Sequence, residues 1–124
     1  MCNFESSNFD RNWMKEKFDV LFLDQAIDFI ESLDPKSRKK IIYNIDKAKY
    51  VNDPKLFKKL TDNIWEFRTK FSGIQYRLFA FWDKTDNKET LVISTHGIVK
   101  KVSKVPKAEI DKAEKIRTDY LKEK

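Results

Sequence analysis

The chain has 124 residues, 40% apolar and 14% aromatic, which suits one domain with a modest core and excludes a disordered chain. Its net charge of +6 is unevenly held: residues 1–34 carry three Lys/Arg against eight Asp/Glu, while residues 35–124 carry 23 against 12. The later part therefore suits a polyanion or an acidic protein partner, although a lysine-rich face also serves plain solubility.

One cysteine, Cys2, excludes an intramolecular disulfide, and no apolar run is long enough to span a bilayer or act as a signal peptide. These features predict a cytoplasmic protein without a membrane partner. Residues 1–16 show no clean period and predict a loosely ordered extension or irregular cap, with Met14 a candidate second start; residues 17–124 read as a single domain. Phe18–Leu23 is a short apolar run that predicts a strand. Asp24 is placed to cap a helix on which Ala26, Ile27, Ile30 and Leu33 recur at helical spacing. Asp34-Pro35 closes it and opens a second helix, with Ile41, Ile42, Ile45 and Ala48 on one stripe. The tight link predicts an antiparallel helical hairpin. Asp53-Pro54 repeats the cap signal and predicts a short helical turn over Lys55–Leu60.

From Ile64 the period changes to two. Trp65, Phe67, Thr69 and Phe71 alternate with Glu66, Arg68 and Lys70, and Ser72-Gly73 makes a turn. Along Ile74–Trp82, Tyr76, Leu78 and Ala80 take one side and Gln75, Arg77, Phe79 and Phe81 the other. Asp83–Lys88 is a turn by composition. Thr90–His96 predicts a further strand that Gly97 relaxes into a bend. Val99–Val105 is basic and either irregular or a twisted continuation, and Pro106 begins a last helix. The expected order is β-α-α-β-β-β-α: an α+β fold with a small twisted antiparallel sheet, the first strand joining its edge or middle, and the helices collected on one face.

Metal catalysis has little to build on, because one His and one Cys lie far apart in sequence; two glycines are too few for a phosphate-cradling loop. No cofactor is expected. RNA cleavage without a metal fits better, since the 2′-OH supplies the nucleophile and the protein need only align it, move protons and stabilise phosphate charge. His96 titrates near working pH and is the candidate acid or base, or else a strand-end histidine in a structural hydrogen bond. Arg68 and Arg77, on neighbouring strands, suit a phosphate because their planar donors bind two oxygens at once; the alternative is pairing of each with Glu66 or another surface acid. Lys100, Lys101 and Lys104 either track a nucleic-acid backbone or form a solvated face, and Lys58 and Lys59 are placed to flank the same groove. Trp65 and Tyr76 are candidates for base stacking, with core packing the commoner role.

W-E-F-R, G-I-Q-Y-R-L-F and H-G-I-V-K-K-V-S-K-V-P, followed by a final helix, resemble the RelE/HigB group of bacterial toxins over about residues 17–123, most closely the HigB-like, phage-derived branch. The strings F-L-D-Q-A-I-D-F-I and D-P-K-L-F-K-K-L agree with it. The resemblance implies two N-terminal helices on a small sheet with a C-terminal helix. It also implies mRNA cleavage on the ribosome and a cognate antitoxin, often a helix-turn-helix repressor that alone carries the toxin to operator DNA. The family's Y-R arginine matches Arg77, its basic residues after the last strand match Lys100 and Lys101, and the branch's histidine matches His96. The C-terminal tyrosine of some relatives has no match, since Tyr120 lies well into the last helix. The expected function is a type II toxin acting as a ribosome-dependent endoribonuclease: Arg77 and Arg68 on the scissile phosphate, His96 transferring a proton, Lys101 its partner or substitute, and Lys58, Lys59, Lys100 and Lys104 on the RNA backbone. The superfamily also holds ParE-like gyrase poisons of the same fold, and a non-catalytic RNA-binding relative is a third reading.

Overall fold

A computed structural model describes residues 15–85 and 90–123. The expected extension, up to and including Met14, and the end of the Asp83–Lys88 turn lie outside the described residues. The elements are β1 (Asp19–Phe22), α1 (Asp24–Glu31), α2 (Pro35–Ala48), β2 (Phe57–Lys59), β3 (Trp65–Phe71), β4 (Ile74–Trp82), β5 (Leu91–Lys100) and α3 (Lys107–Lys122). They build one five-stranded sheet in the order β1-β5-β4-β3-β2. The sheet is antiparallel except at one edge, where β1 runs parallel to β5 after the crossover through α1 and α2.

The β3–β4 hairpin follows from the alternating sequence and its turn. Ser72 and Gly73 both take positive φ, 52° and 76°, as a two-residue turn matched to strand twist requires. The helical turn expected over Lys55–Leu60 is instead a turn leading into β2, whose backbone pairs with Trp65–Phe67. A run of three residues is too short for periodicity to reveal, and the Asp-Pro signal marks only the turn before it. Two lysines on this edge strand discourage pairing with other chains.

Asp34 caps α2 as expected: its carboxylate accepts from Ser37 N at 3.1 Å, with Pro35 in the first turn. At α1 the cap position belongs to Leu23, and Asp24 sits inside the first turn, where its charge faces the positive helix end. Arg38 donates to the carbonyls of Ile30, Glu31 and Leu33, satisfying the C-terminal end of α1.

The helices do not share a face. Ala26, Ile30, Ile41 and Ile45 of α1 and α2 pack on Phe67, Tyr76, Leu78, Ala80 and Val92. The alternate residues Phe79, Phe81 and Ile93 meet Ala113 and Ile110 of α3. Both sides of β4 are apolar in sequence because both are covered, which is the physical reason that collecting the helices on one face fails. The Gly97 bend is also absent; β5 continues through it to Lys100. The glycine serves packing instead, since a Cβ there would lie 2.2 Å from Cδ2 of Phe29 on α1.

Candidate phosphate-binding site

Residues directly opposite each other in an antiparallel ladder share a face, so the register places the candidate side chains. Arg68 pairs with Arg77, Glu66 with Phe79, and Lys58 with Glu66; Gln75 pairs with Lys100, and Arg77 with Ile98. Lys58, Arg68, Arg77 and Lys100 therefore lie on one face across four strands. It is the face that α3 covers at Phe79 and Phe81, and the cations occupy the part beyond that apolar cluster. A cleft of about 240 Å³ opens there, lined by Lys55, Arg68, Thr69, Lys70, Gln75 and Arg77.

Arg77 is only 2% exposed and is fixed on three sides. Its Nη1 donates to the Tyr76 carbonyl at 3.2 Å, its Nη2 to Gln75 Oε1 at 2.8 Å, and its Nε faces Glu66 Oε1 at 3.2 Å. Arg68 approaches the other carboxylate oxygen at 3.5 Å and donates from Nη1 to the Pro54 carbonyl at 3.4 Å. Glu66 itself is 3% exposed. Burial pushes the Arg77 guanidinium below its ordinary value, the Glu66 charge opposes this, and the Arg68 charge adds to it. Lys100 is also pushed down, first by burial and next by the charge of Arg77, with Glu66, Arg68 and Lys58 acting further. The cluster is thus an electrostatic unit in which cations outnumber the acid.

His96 reaches the same face through a β-bulge. Phe79 pairs with His96 but Ala80 with Ser94, so Thr95 is the extra residue. Strict alternation from Val92 would turn His96 toward α1; the bulge turns it onto Phe79, with ring centroids 4.9 Å apart. There it is 2% exposed. Its Nδ1 shares a hydrogen bond with Thr95 Oγ1 and its Nε2 with Glu109 Oε1 of α3, each at 3.0 Å. Burial pushes its pKa down, the Glu109 hydrogen bond opposes this, and the Lys112 charge adds to it.

The structure therefore brings together Arg68, Arg77, Lys58 and Lys100. His96 shares their face under the first turn of α3. Lys59 pairs with Trp65 and points to the opposite face from Lys58. Lys101 and Lys104 are exposed in the segment after β5. Trp65 packs in an aromatic cluster with Phe57 and Trp82, and Tyr76 is buried with its hydroxyl on Ser37. Sequence reasoning left Glu66 as one of several acids within reach of the arginines, and did not find Gln75 and Glu109, which hold Arg77 and His96. The charged alternation of β3 was the available signal for Glu66; nothing local points to Glu109, on a distant helix. Among the described residues no group of three or more His, Cys, Asp or Glu is placed to hold a metal ion, and no helix is long and apolar enough to cross a membrane.

Five strands with two helices on one face, a third on the other and a cationic cleft beside it make a small α+β fold of RelE type. The family signature "Phage derived protein Gp49-like (DUF891)" matches residues 28–118, well over half of the chain, and the chain belongs to that family. This is a toxin-type family within the RelE/HigB-like superfamily, and membership implies an antitoxin partner. No curated protein matches the sequence.

Proposed function

We propose that this protein is the toxin of a type II toxin–antitoxin pair and cleaves mRNA on the ribosome. The observation that carries this reading is the paired Arg68 and Arg77, which line a cleft of about 240 Å³, with Lys58 and Lys100 on the same face of the sheet. Two guanidinium groups on adjacent strands suit a phosphodiester, one for each non-bridging oxygen, and strengthen their hold as the phosphorane gathers charge. The Arg68 side chain, 30% exposed, is open to the cleft, whereas Arg77, 2% exposed, meets a phosphate only once the contacts around it give way. Lys58 and Lys100 extend the contact along the backbone, with Lys104 beyond the strand and Lys59 reaching RNA only around the β2 edge.

Two groups are available for the proton steps. His96 meets the substrate only once Glu109 and the first turn of α3 move off it, because a group sealed at 2% exposure cannot hydrogen-bond to a ribose hydroxyl. Lys101, exposed and next in the chain to Lys100, needs no such movement. The antitoxin would be a helix-turn-helix repressor that covers the cationic face and carries the toxin to operator DNA. The test is a purified translation reaction with a defined message. Ribosome-dependent cuts, lost in Arg77→Ala, support the reading. Intact message together with gyrase-linked DNA breaks would replace it with a gyrase poison, and RNA binding without cutting would leave a non-catalytic relative.

A further inference from the structure

We infer that Glu66 is the positioning residue of the cationic cleft: its carboxylate orients Arg68 and Arg77 for a phosphate and sets the charge with which the site binds RNA. The kinetic part of this inference rests on the nuclease reading; the binding part does not.

Arg68 and Arg77 stand directly opposite each other, a placement that drives like charges apart. Glu66 sits between them with one oxygen for each, Oε1 at 3.2 Å from Arg77 Nε and Oε2 at 3.5 Å from Arg68 Nε. Both Nε atoms thus lie beside the carboxylate, although neither N–H is aligned on it. Each terminal nitrogen of a guanidinium carries two hydrogens. The contacts to Tyr76, Gln75 and Pro54 use one each on Arg77 Nη1, Arg77 Nη2 and Arg68 Nη1. Unused N–H groups therefore remain on both arginines, which line the cleft; those of Arg68, 30% exposed, are open to an incoming phosphate, and those of Arg77, 2% exposed, become so only when the contacts around it give way.

Glu66 Oε1, Arg68 Nε and Arg77 Nε are buried yet make no aligned hydrogen bond. The carboxylate holds the arginines by charge without using up their directional bonding. It is also the one acid among the four charges that act on Lys100. Removing its charge while keeping its shape has two opposite consequences. The ground state gains one net positive charge and binds RNA more tightly, while the arginines lose the anchor that aims them and cleavage slows. A carboxylate that served folding alone would not produce that split.

The experiment measures wild type, Glu66→Gln and Glu66→Asp in two assays: fluorescence anisotropy with a short 2′-O-methyl RNA, which cannot be cut, over a salt series, and cleavage of ribosome-bound message at saturating protein. Glu66→Gln is expected to bind more tightly at low salt, with a log K versus log salt slope steeper by about 0.7, one further charge on a single strand. Its cleavage rate is expected to fall roughly ten- to a hundredfold. Glu66→Asp, which keeps the charge on a shorter stem, is expected to hold the wild-type salt slope and still cut more slowly; it remains informative if the Gln variant folds poorly. Unchanged or weaker RNA binding by a folded Glu66→Gln overturns the proposal, as does a wild-type cleavage rate in both variants. Loss in Glu66→Gln of the acidic limb of the pH–rate profile also overturns it, by making Glu66 a proton acceptor. If wild type does not cut at all, the nuclease reading fails and the anisotropy arm alone decides the role of Glu66.

Discussion

Arg77 shows what a buried cation contributes and what it costs. Lysine at this position keeps the charge but loses the fork that reaches Glu66, Gln75 and the Tyr76 carbonyl together. Arg77→Ala should cost about 3 kcal/mol by urea denaturation, because Glu66 is left buried with Arg68 alone. Arg77→Lys should cost less in stability yet still lower cleavage at least tenfold, a split visible when unfolding and single-turnover cleavage are measured on the same preparations. His96 makes a separate, pH-dependent contribution. Its folded pKa lies below the ordinary value, chiefly through burial. As pH falls through about 6.5, the unfolded chain therefore takes up the proton before the folded chain does, and stability is lost toward the folded pKa. His96→Gln should remove that loss. The gap in urea midpoint between pH 7.5 and pH 5.5 should be larger in wild type than in the variant, and equal gaps would place the histidine outside the acid sensitivity of the fold.

At the scale of elements, Gly97 ties α1 to the sheet. Gly97→Ala would press a methyl group into the Phe29 ring and should cost about 1–3 kcal/mol. Combining it with Phe29→Ala should cost less than the sum of the two single changes, and strict additivity in thermal unfolding would deny the contact. The sequence made the long elements legible because each carries its own period: alternation in β3 and β4, an aliphatic stripe in α2, the Asp34-Pro35 boundary. It hid β2, which is three residues long. It also hid the side on which α3 packs, because β4 is apolar on both faces. The site divides in the same way. Arg68 and Arg77 were legible as neighbours on adjacent strands of one hairpin, and the pairing register puts them on one face. The burial of His96 was not, since one extra residue at Thr95 reverses its direction and its partner Glu109 stands 13 positions away. Lys58 and Lys59 look equivalent as a sequence pair, and only the pairing of β2 separates their faces.

Across the whole molecule, part of the basic excess of residues 35–124 gathers as a cationic face on the sheet, formed by Lys58, Arg68, Arg77 and Lys100, while other cations lie on α2 and α3. If Lys58, Arg68, Arg77 and Lys100 each neutralise one phosphate, log K for a single-stranded RNA should fall with log salt at a slope of about −3. Lys58→Ala should reduce that slope by about 0.7, whereas Lys59→Ala, on the other face, should change it much less. Equal effects of the two lysines would mean that RNA does not follow the face drawn here. The central claim is that this face cuts message on the ribosome, and transcript-end sequencing after brief induction tests it most directly. Wild type should give new 5′ ends in phase with codons throughout translated regions, and Arg77→Ala expressed at the same level should give none. Intact transcripts under wild-type growth arrest, or the same ends with Arg77→Ala, would contradict it.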